Sequence, residues 1–338
     1  MTATDVRPAA PTDAPDAARW RPLLSSLALR QETGILLVVL VIGVAAGIKN
    51  PAFLDASNLA EVLRASVLVF VMGVGTALLV IGGGLDLSVG AVFTFASLAA
   101  CKLMVSGWPV PLAVLAGILI GVACGTVNHL IITYIHVPPI IATLGTYFVI
   151  LGLNIQLSGG DDVLPLPASF VRLGQGSFLG LSNVIWYAIV VGVVFWFLLE
   201  WTPFGVNVRA LGGNRQAAVG VGLRVVRLDL ILYGLASGTA GLAGLIYAAR
   251  VGAGQVSAGG TTLTLQVIAA VLIGGVSLFG GLGSITGVAV GAVLLAEIDN
   301  ALIVTQVPPQ YNNLVVGAVL IAAVGLDHVR RQRLYRKR

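Results

Sequence analysis

What most limits this chain is a succession of apolar runs, each about as long as a lipid bilayer's hydrocarbon core is thick. A helix needs roughly 20 predominantly apolar residues to cross that core. We read such spans at 34–49, 65–81, 87–106, 109–131, 139–156, 183–200, 228–250, 264–279, 284–304 and 312–326. Backbone in lipid must satisfy its own N–H and C=O groups, so these runs predict helices. The expectation is an all-α polytopic membrane protein of about ten transmembrane helices. Composition agrees, with 57% hydrophobic residues, only 10% charged residues and a mean hydropathy of +0.99. A soluble domain holds about 25% charged residues, so this chain cannot cover a water-facing surface. That excludes a soluble enzyme, a disulfide-stapled secreted domain and a disordered protein. The 43 glycines suggest close helix packing, and Cys101 and Cys124, both in apolar runs, read as small packing residues.

The net charge of +5 is a matter of placement. Six of the last nine residues are basic, from Arg330 to Arg338. Directly after an apolar run, they read as a juxtamembrane anchor facing anionic lipid and not as a nucleic-acid site. An even number of spans puts both termini on one side. With the termini inside, fourteen of the 19 Lys and Arg lie in inner segments. The other five are Lys49, Arg64, Lys102, Arg172 and Arg250. The positive-inside rule therefore places both termini in the cytoplasm. Residues 1–30, with their APTDAPDAA stretch, read as a flexible tail and not as a signal peptide. Residues 31–327 form the transmembrane domain, with halves at about 31–160 and 183–327, and 328–338 form the basic tail.

A shift of 170 residues brings unusual features into register. Gly117 and Gly121 fall on Gly287 and Gly291, and Val137-Pro138-Pro139 falls on Val307-Pro308-Pro309. Gly82, Gly84 and Gly90 fall on Gly252, Gly254 and Gly260. Five spans, an odd number, separate the copies, so the halves insert upside down relative to one another. Inverted repeats of this kind are a transporter architecture with the path at the interface between halves.

Three stretches carry chemistry. Residues 82–90, GGGLDLSVG, interrupt the apolar runs, and a helix does not run comfortably through three successive glycines. Asp86 and Ser88 have two readings. One puts them at the transport path or makes Asp86 a latch on a broken helix, since irregular backbone at membrane depth must line a cavity or be buried in protein. The other is an ordinary turn in which Asp86 caps the next helix. The basic loop 202–227 offers Asn214 as an N-cap, one or two helical turns, and Gly220 or Gly222 as a stop. Ala217 and Ala218 give that short helix a smooth face suited to a groove on another protein. In the second half, Glu297, Asp299 and Asn300 lie within a span. Intramembrane carboxylates default to a functional reading. Glu297 and Asn300 share a helix face while Asp299 points elsewhere. Asn128, Thr143 and Asn154 are path candidates in the first half. For each residue the plainer alternative is an interhelical hydrogen bond.

GGGLDLSVGAV, VPPIIATLGTYFVILGL (137–153), FGVNVRALGGNRQAAVGVGL (204–223) and AAVLIGGVSLFGGLGSITG (269–287) resemble the ribose-type sugar permeases of bacterial ABC importers. The resemblance runs in order over roughly residues 30–327. It implies a permease in the bacterial inner membrane that moves a monosaccharide or polyol by alternating access. It also implies a second permease subunit, a cytoplasmic ABC ATPase and an extracytoplasmic sugar-binding protein docking on outer loops near 50–64 and 157–182. The loop between spans six and seven would carry a coupling helix docked on the ATPase, with Arg209, Gly212, Gly213, Asn214, Ala217, Ala218 and Gly220 at that contact. Family members often carry Asn-Gly near residue 300, whereas Ala301 follows Asn300 here. No GxxxxGK[ST] sequence occurs, so ATP and Mg would sit on the partner, and no cofactor, metal or covalent chemistry is expected on this chain. The rivals are an ion-coupled secondary transporter, using Asp86, Glu297 or Asp299 as its ion site, and a branched-chain amino-acid ABC permease. A membrane enzyme acting on lipid would need clustered catalytic groups, whereas His129, His136 and His328 are scattered.

Overall fold

A computed structural model describes residues 31–308 and scattered positions between 311 and 325. The described residues begin with α1 (Gln31–Lys49) and a 3₁₀ turn (Pro51–Leu54), which Asn50 caps by accepting from the Ala52 N–H. Helices α2 (Ala56–Ile81), α3 (Val89–Val105), α4 (Val110–Tyr134) and α5 (Pro139–Ser158) follow. Prolines in the first turns of α4 and α5 start those helices, where a missing N–H costs nothing. A short helix α6 (Ala168–Gln175) and a hairpin of β1 (Ser177–Phe178) with β2 (Leu181–Ser182) lead into α7 (Asn183–Trp201). Then come α8 (Pro203–Gly213), α9 (Arg215–Gly220), α10 (Val225–Val251), α11 (Thr261–Ile273) and α12 (Ile285–Val304).

Six of these helices are long and apolar enough to cross a bilayer: α2, α4, α5, α7, α10 and α12. α1, α3 and α11 are shorter and apolar. Nine of the expected spans thus correspond to described helices, with corrected bounds. α2 begins at Ala56 and not at 65. α11 stops at Ile273 and not at 279, because Gly274 and Gly275 end it in a turn with positive φ at Gly275. Of the span at 312–326 only scattered positions are described, all helical, and both tails lie outside the described residues.

The two longest helices, α2 and α10, pack on each other and are largely buried, while α4, α5 and α7 expose most of their surface. Small residues permit the approach. A Cβ on Gly121 would lie 2.6 Å from the Ser237 carbonyl oxygen, and one on Gly125 only 2.1 Å from that of Tyr233, so α4 rests directly on the α10 backbone. Association of helices in lipid depends on such close packing, because burial of apolar surface supplies no net drive there. Gly125→Val is therefore expected to abolish the monodisperse peak of detergent-solubilised protein in size-exclusion chromatography. Gly145→Val is expected to preserve it, since no atom lies within 4 Å of a Cβ at that site. Equal behaviour of the two variants would remove this contact from the account.

The repeat is visible in the helix ends. α2 closes at Ile81 and α10 at Val251, each followed by glycine; α4 closes at Tyr134 and α12 at Val304. Two residues beyond each of the latter stands a non-glycine residue at positive φ, His136 at 61° and Gln306 at 57°, before the paired Val-Pro-Pro. Packing repeats as well: α10 lies against α4 and α3, and α2 against their counterparts α12 and α11.

Candidate functional site

The glycine-rich stretch after α2 does not turn back at the helix end. It runs alongside α10, with Gly82 against Leu232, the Tyr233 hydroxyl donating to the Leu85 carbonyl at 3.4 Å, and the Ser237 hydroxyl donating to Asp86 at 3.0 Å. Ser237 sits midway along the 27-residue α10. α3 therefore starts level with the middle of α10 and continues beside its second half, where a Cβ on Gly244 would strike the Phe93 carbonyl oxygen at 2.0 Å. The counterpart stretch after α10 leads into α11, with Gly254 bridged to Val163. The N-terminal ends of the two short helices meet: the Gly90 N–H donates to Thr264 Oγ1 at 3.1 Å, and the Gly259 N–H to Thr94 Oγ1 at 2.9 Å. Thr94 and Thr264 are themselves 170 apart. A Cβ on either Gly90 or Gly259 would fall within 2.3 Å of the facing backbone oxygen, so glycine is needed at this crossing.

Asp86 lies in the wall of that junction with no solvent exposure. Oδ1 accepts from the Ser88 N–H (2.8 Å), the Ser88 hydroxyl (2.6 Å) and Asn128 Nδ2 (3.2 Å); Oδ2 accepts from Asn128 Nδ2 (3.2 Å) and the Ser237 hydroxyl (3.0 Å). Thr146 on α5 donates to Asn128 Oδ1 at 2.6 Å, which orients the amide with its NH₂ toward the carboxylate. A carboxylate has about four lone-pair positions, so these donors saturate it. The capping reading is corrected accordingly. Ser88, not Asp86, occupies the N-cap of α3, with no side-chain cap bond, and Asp86 instead joins its own loop to α4 and α10.

Of the path candidates, Asp86, Ser88 and Asn128 form this one cluster. Asn154 reaches the neighbouring part of α3 through the Ala91 carbonyl at 3.4 Å, and its Oδ1 is buried without a hydrogen-bond partner. Thr143 turns back on its own helix, donating to the Pro139 carbonyl. Glu297, Asp299 and Asn300 form a separate set on α12. Glu297 is buried against Gly43 of α1, with Oε2 unpartnered. Asp299 accepts from Gln266 of α11 at 3.0 Å, and Asn300 exchanges two amide bonds with Asn58 of α2, at 2.9 and 3.0 Å. Glu297 and Asn300 thus share the α1/α2 side while Asp299 points to α11, as their spacing expects. Ser237 and Thr146 were not among the expected residues. Each is one of several hydroxyls in a long apolar helix, with no local signal of its role. Among the described residues no group of three or more His, Cys, Asp or Glu is placed to hold a metal ion.

The segment expected to meet an ATPase folds into two helices. α8 was not foreseen in its glycine-rich sequence. α9 was, and Asn214 caps it by accepting from the Ala217 N–H at 2.9 Å. Gly212 is wedged against the Ile81 carbonyl and Gly281, and Arg209 donates to the Leu199 carbonyl (2.9 Å) and pairs with Glu200 (2.5 Å). Both residues therefore hold α8 to the body. The expected smooth face of Ala217 and Ala218 is corrected too: Ala218 is buried and Ala217 exposed. Gly213, Asn214 and Gly220 are exposed with Ala217, as are Val219 and Val221.

Residues 58–324 match a family described as the branched-chain amino acid transport system / permease component. The chain is 37% identical to the L-arabinose ABC transporter permease protein of Azospirillum brasilense, over 90% of this chain and 89% of that protein. It is 35% identical to the ribose import permease protein of Bacillus subtilis, over 88% and 92%, respectively. To the D-allose transport system permease protein of Escherichia coli it is 30% identical, over 93% and 96%. No solved structure matches.

Proposed function

The chain belongs to the branched-chain amino acid transport system / permease component family, and on that premise we propose that it is the membrane-spanning subunit of an ABC importer for a monosaccharide. The observation that carries this reading is the meeting of two short helices, one from each of two repeats, halfway along α10. Transporters place discontinuous helices at the repeat interface, where two packings can exchange about a fixed centre. The arabinose, ribose and allose permeases among its relatives favour a sugar over an amino acid as cargo. Ion coupling through Asp86 would need that carboxylate free to take the ion, whereas its oxygens are filled by donors.

In this reading the chain crosses the bacterial inner membrane ten times with both termini in the cytoplasm. It pairs with a second permease subunit and receives sugar from an extracytoplasmic binding protein. A cytoplasmic ATPase supplies the drive, and ATP and Mg belong to that partner. α9, with Gly213, Asn214, Ala217 and Gly220 exposed, is the coupling helix, and Val219 and Val221 extend its apolar surface. The substrate moves past hydroxyl and amide groups that hold it weakly, since a path must release what it admits. Purification of the tagged chain from its native membranes in mild detergent tests this. A stoichiometric ABC ATPase is the expected companion. A chain that purifies without one, yet still drives uptake in vesicles lacking ATP, would make it a secondary transporter.

A further inference from the structure

α9 touches the rest of the protein at few points, and one of them leads directly to the buried junction. Arg215, the first residue of α9, pairs with Asp229 of α10 through both guanidinium nitrogens, at 3.3 and 2.5 Å. Arg224 and Arg227 stand much nearer to Asp229 in sequence, yet Arg215, fourteen residues away, is the partner. The Asp229 carboxylate is mostly buried and the Arg215 side chain mostly exposed, so the pair is anchored on α10 and reaches out to α9. Asp229, Tyr233 and Ser237 then follow at intervals of four along α10, so they share one side of the helix over about 12 Å. Tyr233 holds the Leu85 carbonyl and Ser237 holds Asp86. Side-chain bonds from one face of α10 thus reach α9 at one end and the loop that positions α3 at the other, with the helix itself joining them.

We propose that the Arg215–Asp229 pair is the joint through which α9 moves α10 and, with it, the Asp86 junction. Both are positioning residues for transport. The inference rests on the importer reading above and adds to it the route by which the coupling helix acts. The Arg215 end of this half-buried pair is in water and contributes modestly to stability, so loss of the pair should leave most of the protein folded while weakening the mechanical link. A pair that only decorated the surface would be dispensable for both.

The test uses the full complex, purified with its ATPase and reconstituted in proteoliposomes. Arg215→Ala and Asp229→Asn are expected to accumulate and to retain the ATPase like the unaltered protein. Both are expected to lose at least tenfold in ATP-driven sugar uptake per ATP hydrolysed. The exchange Arg215→Asp with Asp229→Arg is expected to recover a third or more of that ratio. Wild-type coupling in either single variant would overturn the proposal. So would failure of the exchange to restore coupling while the ATPase remains bound. Loss of the ATPase from the single variants would overturn it as well, by making Arg215 part of the docking surface. If the unaltered chain carries no ATPase at all, the importer reading itself falls, and this result is distinct from the others.

Discussion

Asp86→Leu is expected to leave almost no folded protein in the membrane and no measurable uptake. The substitution takes the acceptor from the Ser88 N–H, the Ser88 hydroxyl and the Ser237 hydroxyl, all fully buried, and leaves Asn128 only its bond to Ser88 Oγ. Each buried polar group left unpaired costs about 1–3 kcal/mol, and three together rival the whole stability of an ordinary domain. Asp86→Asn keeps the shape but points an NH₂ at groups that already donate, so it should fold partially and transport poorly. Ser237→Ala removes one donor and leaves the others, and should cost about 1 kcal/mol. Thermal denaturation of the purified proteins, followed by size-exclusion chromatography, orders these three variants. A stable, active Asp86→Leu protein would show that the junction does not depend on its carboxylate.

Ala217→Glu is expected to act in the opposite manner, abolishing uptake while folding normally. The Ala217 side chain is exposed and its backbone N–H is the one that Asn214 caps, so a longer side chain meets no neighbour within the chain. Its cost falls on whatever covers α9, where a buried unpaired carboxylate is expensive. Uptake should fall below a tenth of the unaltered level, with the ATPase lost on purification. Ala218→Glu, by contrast, forces a charge into the protein's own packing and should reduce the amount of folded protein. Full uptake by Ala217→Glu would remove α9 from the coupling surface.

The pair Ala217 and Ala218 also shows where the sequence stops being informative. Two adjacent alanines in a capped turn are equivalent on paper, and only the packing of α9 against α8 and α10 makes one buried and the other free. The long helices were legible because lipid imposes length and polarity together, and the repeat because glycine and Val-Pro-Pro recur at one spacing. Asn214 was legible because a cap bond is local. α8 was not: its glycines, valines and asparagine argue against a helix, and it forms because Gly212 and Arg209 fasten it to Ile81 and α7. The partners of Asp86 were beyond reach for a different reason. Ser237 is 151 residues away and Asn128 is 42, and nothing near either of them signals a carboxylate. The depth of the α3 start was hidden as well, since 82–88 reads the same whether it turns at the membrane face or runs along α10.

The central claim is that this chain moves a sugar only when a partner hydrolyses ATP. The direct measurement is uptake of radiolabelled L-arabinose, D-ribose and D-allose into proteoliposomes containing the purified complex and its binding protein, with ATP and Mg on the ATPase side. The account predicts accumulation of at least one of these sugars that stops without ATP and is unaffected when ion gradients are collapsed. Accumulation that survives removal of ATP but not collapse of the gradient would contradict it.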